Sequence, residues 1–94
     1  MTPEKLQKVA GEYLIYLSSI NPDLKAERFD ETIQIKSPNL EIKHTKWMCQ
    51  EIINLVDDNE LDKAYRWIGF VQGYFWAKGI YTIEQMRKHN TEES

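Results

Sequence analysis

Residues 60–78 read ELDKAYRWIGFVQGYFWAK, and their spacing predicts a helix. At about 100° per residue, a group of apolar side chains falls within about 80° of the helix circumference, as on a face that packs against a core. This core stripe consists of Leu61, Ala64, Ile68, Val71 and Phe75. Gly79 follows where a left-handed C-terminal residue is favoured, so we expect the helix to end there.

Two aromatic-rich stripes flank the core stripe of this helix. One stripe holds Trp67, Phe70 and Tyr74, and the other holds Tyr65, Gln72 and Trp76. Between the two, facing away from the core stripe, lie Asp62, Arg66, Gly69, Gly73 and Ala77. One interpretation is that the helix is central and is covered on every side by the other elements, so that its aromatic side chains belong to the core.

Gly69 and Gly73 indicate a surface that another group approaches closely, because a glycine within a helix costs about 1 kcal/mol relative to alanine. Together with Ala77 they form a shallow groove without large side chains. Another helix, from this chain or from a second copy, would pack closely on this groove. Alternatively, a flat ligand would enter it, with Arg66 and Gln72 as polar partners. On the first interpretation we expect a homodimer or a larger closed oligomer.

The other helices have recognisable start signals. A first helix is predicted over residues 3–19, with Thr2 as its N-cap and apolar positions three and four residues apart. Pro38 begins a second helix that runs to about Asp57. Thr82 begins a short last helix, since the sequence that follows it fits a capping box.

The predicted fold is mainly α-helical. It is a compact bundle of three main helices plus a short C-terminal helix, in a single domain over residues 1–90. Around residues 24–36 a short β-strand or hairpin competes with extended coil, because alternating Ile33 and Ile35 favour a strand that has no obvious partner. Residues 91–94 are predicted to be a frayed polar tail.

Composition and charge exclude several classes of protein. Twelve basic residues oppose 15 acidic residues, for a net charge of −3, which argues against direct nucleic-acid binding. No secretion signal and no apolar run of about 18 residues are present, so we expect a cytoplasmic protein without a membrane partner. Cys49 is the single cysteine, cannot form an internal disulfide, and is expected to be an inert core thiol.

Residue spacings typical of catalysis or metal binding do not occur, so we predict no catalytic residue, no metal, no cofactor and no enzymatic activity. On the second helix, His44 and Trp47 lie at the edge of the apolar face, where a hydrogen-bonded core histidine is expected. The candidates for binding a partner or ligand are His44, Trp47, Arg66, Trp67, Phe70, Gln72, Tyr74 and Trp76, and the candidates for close packing are Gly69, Gly73 and Ala77.

The glycine-containing helix belongs to a longer motif. Residues 66–76 follow the pattern Arg-Trp-aliphatic-Gly-Phe-x-Gln-Gly-x-x-Trp, residues 79–83 read Gly-Ile-Tyr-Thr-Ile, and residues 44–48 read His-Thr-Lys-Trp-Met. Over residues 44–90, about half of the chain, this pattern resembles a group of small proteins encoded by tailed bacteriophages. The resemblance implies a phage origin and transfers no catalytic residue. It also implies joint action of Arg66, Trp67, Gly69, Gln72, Gly73 and Trp76.

Three hypotheses about function follow from this resemblance and from the absence of residue spacings typical of catalysis. The leading hypothesis is a small phage accessory protein that binds and inhibits a host or anti-phage defence protein in the cytoplasm of the infected bacterium. The alternative is a protein that binds or sequesters a small molecule such as a nucleotide signal. A structural or assembly role in the phage particle is the third hypothesis. All three rest on analogy at the level of protein class.

Overall fold

A computed structural model describes residues 1–91 and contains four α-helices in that range. The helices are α1 (Pro3–Ile20), α2 (Pro38–Asp57), α3 (Leu61–Ala77) and α4 (Ile83–His89). The predicted mainly helical fold, with three main helices and a short C-terminal one, is confirmed. Residues 92–94, which make up most of the predicted frayed tail, lie outside the described residues.

The helix ends follow the local signals in the sequence. The Thr2 side chain accepts a hydrogen bond from the Lys5 amide at 3.1 Å, which caps α1. Thr82 forms the expected capping box with Gln85 at the start of α4. Gly79 has φ = +71°, the left-handed conformation predicted after α3.

The core forms where α2 packs against both α1 and α3. The core stripe of α3 is confirmed, because four of its members are buried and Leu61 is half-buried. The phenol ring of Tyr13 on α1 meets the ring of Phe75 edge to face, with 4.9 Å between centroids. The buried apolar side chains are Leu6, Val9, Ala10, Tyr13, Leu17, Met48, Cys49, Ile52, Leu55, Ala64, Ile68, Val71, Phe75 and Met86.

The segment between α1 and α2, residues 21–37, is extended coil and turns, so the strand or hairpin considered around residues 24–36 does not form. Its backbone is bound to α2 instead of to a partner strand. Lys46 is 3% exposed, and its ammonium group donates to the carbonyl oxygens of Asn21 and Leu24. Further along, the Glu27 amide donates to the Lys43 carbonyl at 3.1 Å. These bonds satisfy backbone groups that a lone strand would leave unpaired.

Cys49 is fully buried in this core. Burial raises the pKa of its thiol to about 12, so the sulfur stays protonated and unreactive near neutral pH. Cys49 is therefore the inert core thiol expected from the sequence. Within residues 1–91, none of the helices has the length and apolar character needed to cross a membrane.

Candidate binding surface and cavity on α3

On the side opposite the core stripe, α3 has an exposed face that no other described element covers. We call it the α3 outer face, and its residues are Arg66, Gly69, Phe70, Gly73, Trp76 and Ala77. A Cβ atom built on Gly69 or Gly73 would meet no neighbouring atom within 4 Å. Close packing of a helix from within residues 1–91 therefore does not account for these glycines, and the interpretation that α3 is covered on every side is wrong.

Two large aromatic side chains border the α3 outer face. Phe70 is 65% exposed and Trp76 is 58% exposed. They project about 120° apart around the helix, with the two glycines between them. Arg66 is exposed one turn before Phe70 and forms no hydrogen bond or ion pair with any residue in 1–91. The face thus combines aromatic edges, an open backbone and an exposed positive charge.

Gln72 does not join this face, because its amide is engaged inside the fold. Its Nε2 donates to the Tyr13 hydroxyl at 3.0 Å and to Oδ1 of Asn90 at 2.7 Å. Nδ2 of Asn90 donates back to Oε1 of Gln72 at 3.2 Å. These hydrogen bonds between the two side-chain amides hold Asn90, the residue that follows α4, against the middle of α3. The structure thus separates Gln72 from Arg66, the two polar groups assigned to the predicted ligand groove.

Tyr74 is half-buried on the flank of α3 that faces α2. Its hydroxyl donates to Oε1 of Glu41 at 3.4 Å, and the same carboxylate oxygen lies 3.0 Å from Nζ of Lys78. Burial, together with the charge of Glu41, raises the pKa of Tyr74 to about 12. Tyr74 therefore joins the end of α3 to the beginning of α2 as a neutral donor.

The remaining candidates, His44, Trp47 and Trp67, converge on a cavity of about 400 Å³ between residues 28–31, α2 and α3. The indole rings of Trp47 and Trp67 lie 5.5 Å apart between centroids, tilted by 49°. The His44 ring lies 5.4 Å from the Trp47 ring. Phe70 also lines the cavity, so it borders both the cavity and the α3 outer face.

His44 is a neutral hydrogen-bonded residue, as expected from its place on α2. Its Nδ1 accepts the Phe29 amide proton at 3.3 Å, which leaves Nε2 to carry the ring proton. Partial burial, and then the positive charge of Arg28, lower the pKa of His44. The imidazole is therefore an uncharged donor in the wall of the cavity.

Two cations lie over the indole rings of the cavity. The Arg28 guanidinium carbon is 5.7 Å from the centroid of Trp47, and Nζ of Lys63 is 5.2 Å from that of Trp67. Neither cation was identified by sequence reasoning. Arg28 lies in the segment around residues 24–36, where only a short strand, a hairpin or extended coil was expected, and Lys63 belongs to none of the stripes assigned to α3. The spacing of four residues between Lys63 and Trp67 could have identified Lys63, because it puts both side chains on one side of the helix.

The chain matches no protein-family model, no curated protein and no solved structure. Its function is therefore inferred from two features, the α3 outer face and the cavity. The resemblance to small phage proteins adds an expectation about the biological setting.

Proposed function

We propose that this chain is a small non-enzymatic phage accessory protein that binds and inhibits a host or anti-phage defence protein through the α3 outer face. The observation that carries the proposal is the exposure of Phe70 and Trp76 on either side of two glycines. Aromatic residues that become buried on association dominate many protein interfaces. The phage setting rests on the sequence resemblance alone.

The glycines add a second argument for a partner. Each costs α3 about 1 kcal/mol of helix stability relative to alanine, and no contact within residues 1–91 requires a missing Cβ. A partner that packs against the bare backbone between Phe70 and Trp76 would offset that cost in the complex. Arg66 at the N-terminal end of the face favours a partner that places a carboxylate there.

A second copy of the chain is a competing occupant of the same face, which makes a homodimer or a larger closed oligomer part of the proposal. Large rings and open glycine positions occur together on one surface, so two copies related by a two-fold axis would fit rings against glycines. Self-association would cover the aromatic side chains until a partner protein replaced the second copy. A partner protein and a second copy of the chain would contact the same residues. Only self-association would give a particle whose mass is a multiple of the mass of this chain.

The proposal is tested by capture from a bacterial host lysate with three immobilised proteins. These are the wild type, the Phe70→Ala/Trp76→Ala double variant, and Ile15→Ala as matched control, since Ile15 on α1 is 70% exposed. We expect the wild type and the control to retain a protein that the double variant loses. Retention of the same proteins by all three would show that the α3 outer face is not the binding surface.

The alternative function, binding of a small molecule such as a nucleotide signal, is favoured by a different observation. The cavity brings two indole rings and two cations together within about 400 Å³, which suits a flat ligand better than the α3 outer face does. A structural or assembly role in the phage particle would use the α3 outer face for self-association.

A further inference from the structure

We propose that the cavity between residues 28–31, α2 and α3 binds a small ligand with one flat aromatic ring system, hydrogen-bond donors on that ring, and one anionic group. A nucleoside monophosphate has this chemistry. The proposal deepens the alternative function, ligand binding, at a cavity that shares only Phe70 with the α3 outer face.

The ring system would lie against the two tryptophans. Trp47 and Trp67 are both half-buried, and the phenyl rings of Phe29 and Phe70 also line the cavity. Base–aromatic stacking is worth about 1–3 kcal/mol per base. A volume of about 400 Å³ lies near the lower end of ligand cavities and holds one ring system with one acidic group.

The sign of the ligand's charge follows from the cations already present. Arg28 lies over one indole ring and Lys63 over the other, so a cationic ligand would have to displace both and would meet their charge. An anionic group on an aromatic ligand would instead draw the two cations from the ring faces to itself. Arginine and lysine are the side chains that hold phosphate most effectively, arginine through paired hydrogen bonds.

Two carboxylates set a further requirement for the ligand. Glu31 and Glu51 also line the cavity, so the lining carries two positive and two negative side chains. A small anion without an aromatic ring therefore gains little electrostatic attraction, because the lining charges balance. The two carboxylates favour a ring that bears amino or hydroxyl donors. The Nε2 proton of neutral His44 adds a donor for a ring acceptor.

The wall that carries Arg28 is held in place before a ligand arrives. The buried Lys46 ammonium group binds two carbonyl oxygens at the start of the segment, at Asn21 and Leu24. The Phe29 amide is bound to His44, one residue after Arg28. A preformed wall lowers the entropy cost of ordering the site when a ligand binds.

The test uses tryptophan fluorescence in the Trp76→Phe background, where the remaining tryptophans are Trp47 and Trp67 of the cavity. AMP, GMP, CMP and UMP are titrated separately, with the four matching nucleosides and inorganic phosphate as partial ligands. We expect at least one mononucleotide to quench the fluorescence saturably. The nucleoside of that mononucleotide should bind at least about tenfold more weakly, and phosphate should have no effect.

Variants assign the binding to the cavity. Arg28→Gln and Lys63→Gln should each weaken binding about tenfold, whereas Arg87→Gln, at an exposed position on α4, should leave it unchanged. Thermal unfolding by circular dichroism verifies that each variant is folded. The proposal is overturned if no mononucleotide quenches saturably at millimolar concentration, if the nucleoside binds as tightly as its monophosphate, or if Arg87→Gln has the same effect as the cavity variants. Any of these results leaves binding through the α3 outer face untouched.

Discussion

The hydroxyl of Tyr13 on α1 lies 2.8 Å from Nδ1 of His89 on α4, a residue 76 positions later in the chain. The same hydroxyl accepts a hydrogen bond from Nε2 of Gln72 at 3.0 Å. The tautomer of His89 determines which member of the Tyr13–His89 pair donates the proton. Burial lowers the pKa of His89 and raises the pKa of Tyr13 to about 12, in agreement with a neutral pair.

Acid is therefore predicted to destabilise the protein through its histidines. In the unfolded chain a histidine binds its proton near pH 6.5, whereas burial holds the pKa of His44 and His89 below that value in the folded protein. Between the two pKa values the unfolded state binds more protons, so the free energy of unfolding falls as the pH decreases. The stabilisation is fully present above pH 6.5 and is lost as the pH falls through the folded-state values.

Urea unfolding at about pH 7.5 and about pH 5 measures this loss for the wild type and for His89→Asn. The asparagine carbonyl keeps an acceptor near the position of Nδ1 but does not titrate in this range. We expect the variant to lose less stability between the two pH values than the wild type, and the variant that also carries His44→Asn to lose least. An unchanged pH dependence in both variants would show that neither histidine is responsible.

Two glycine positions are predicted to respond oppositely to alanine. Gly73→Ala should raise the free energy of unfolding by about 0.5–1 kcal/mol, because the position is helical and a Cβ meets only open space. Gly79→Ala should lower it by about 1 kcal/mol, because φ = +71° disfavours any side chain there. Chemical denaturation of the two variants provides the comparison. The comparison is made on the monomer, at protein concentrations below self-association. Destabilisation by Gly73→Ala there would contradict open space at this face in the single chain.

Trp67 and Phe70 are predicted to differ in their effect on stability although both lie on one flank of α3. Trp67 is half-buried against Trp47, so Trp67→Ala should lower the free energy of unfolding by about 2 kcal/mol. Phe70 is 65% exposed, so Phe70→Ala should change it by less than about 0.5 kcal/mol. Denaturant titrations of the two variants measure the change in the free energy of unfolding. Equal losses of stability would contradict the difference in burial between Trp67 and Phe70. Replacement of Phe70 in a binding test should therefore leave the fold intact.

Self-association is predicted at the α3 outer face. Light scattering at micromolar concentration should give a homodimer or larger closed oligomer for the wild type, and a monomer for Gly73→Leu. The leucine side chain starts in open space in the single chain, so the variant should remain folded. A monomeric wild type would leave this face to a partner protein, and an intact oligomer in Gly73→Leu would place the interface elsewhere.

The helices were predictable because their signals are local. The core stripe of α3 repeats at three and four residues, and Gly79 and Thr82 carry the end and start signals of neighbouring helices. Trp47 and Trp67 were also recognisable as candidates from their place beside the apolar faces. Their convergence follows from the packing of α2 against α3, which puts the aromatic flanks of both helices together.

The segment between α1 and α2 was not predictable because distant contacts determine its path. Lys46 looks like a solvent-exposed position on α2, yet it is buried where it binds the carbonyl oxygens of Asn21 and Leu24. That contact ties the start of the segment to α2, and Arg28 lies beside Trp47 further along the same segment. No periodicity within residues 21–37 encodes it.

Binding of a partner protein through the α3 outer face is tested most directly by isothermal titration of the purified captured protein. Titrants are the wild type, the Phe70→Ala/Trp76→Ala double variant and Ile15→Ala. Loss of two exposed aromatic anchors should weaken the affinity by at least about 30-fold, corresponding to about 2 kcal/mol, whereas Ile15→Ala should stay within about twofold of the wild type. Equal affinity of the double variant and the wild type would contradict binding through the α3 outer face.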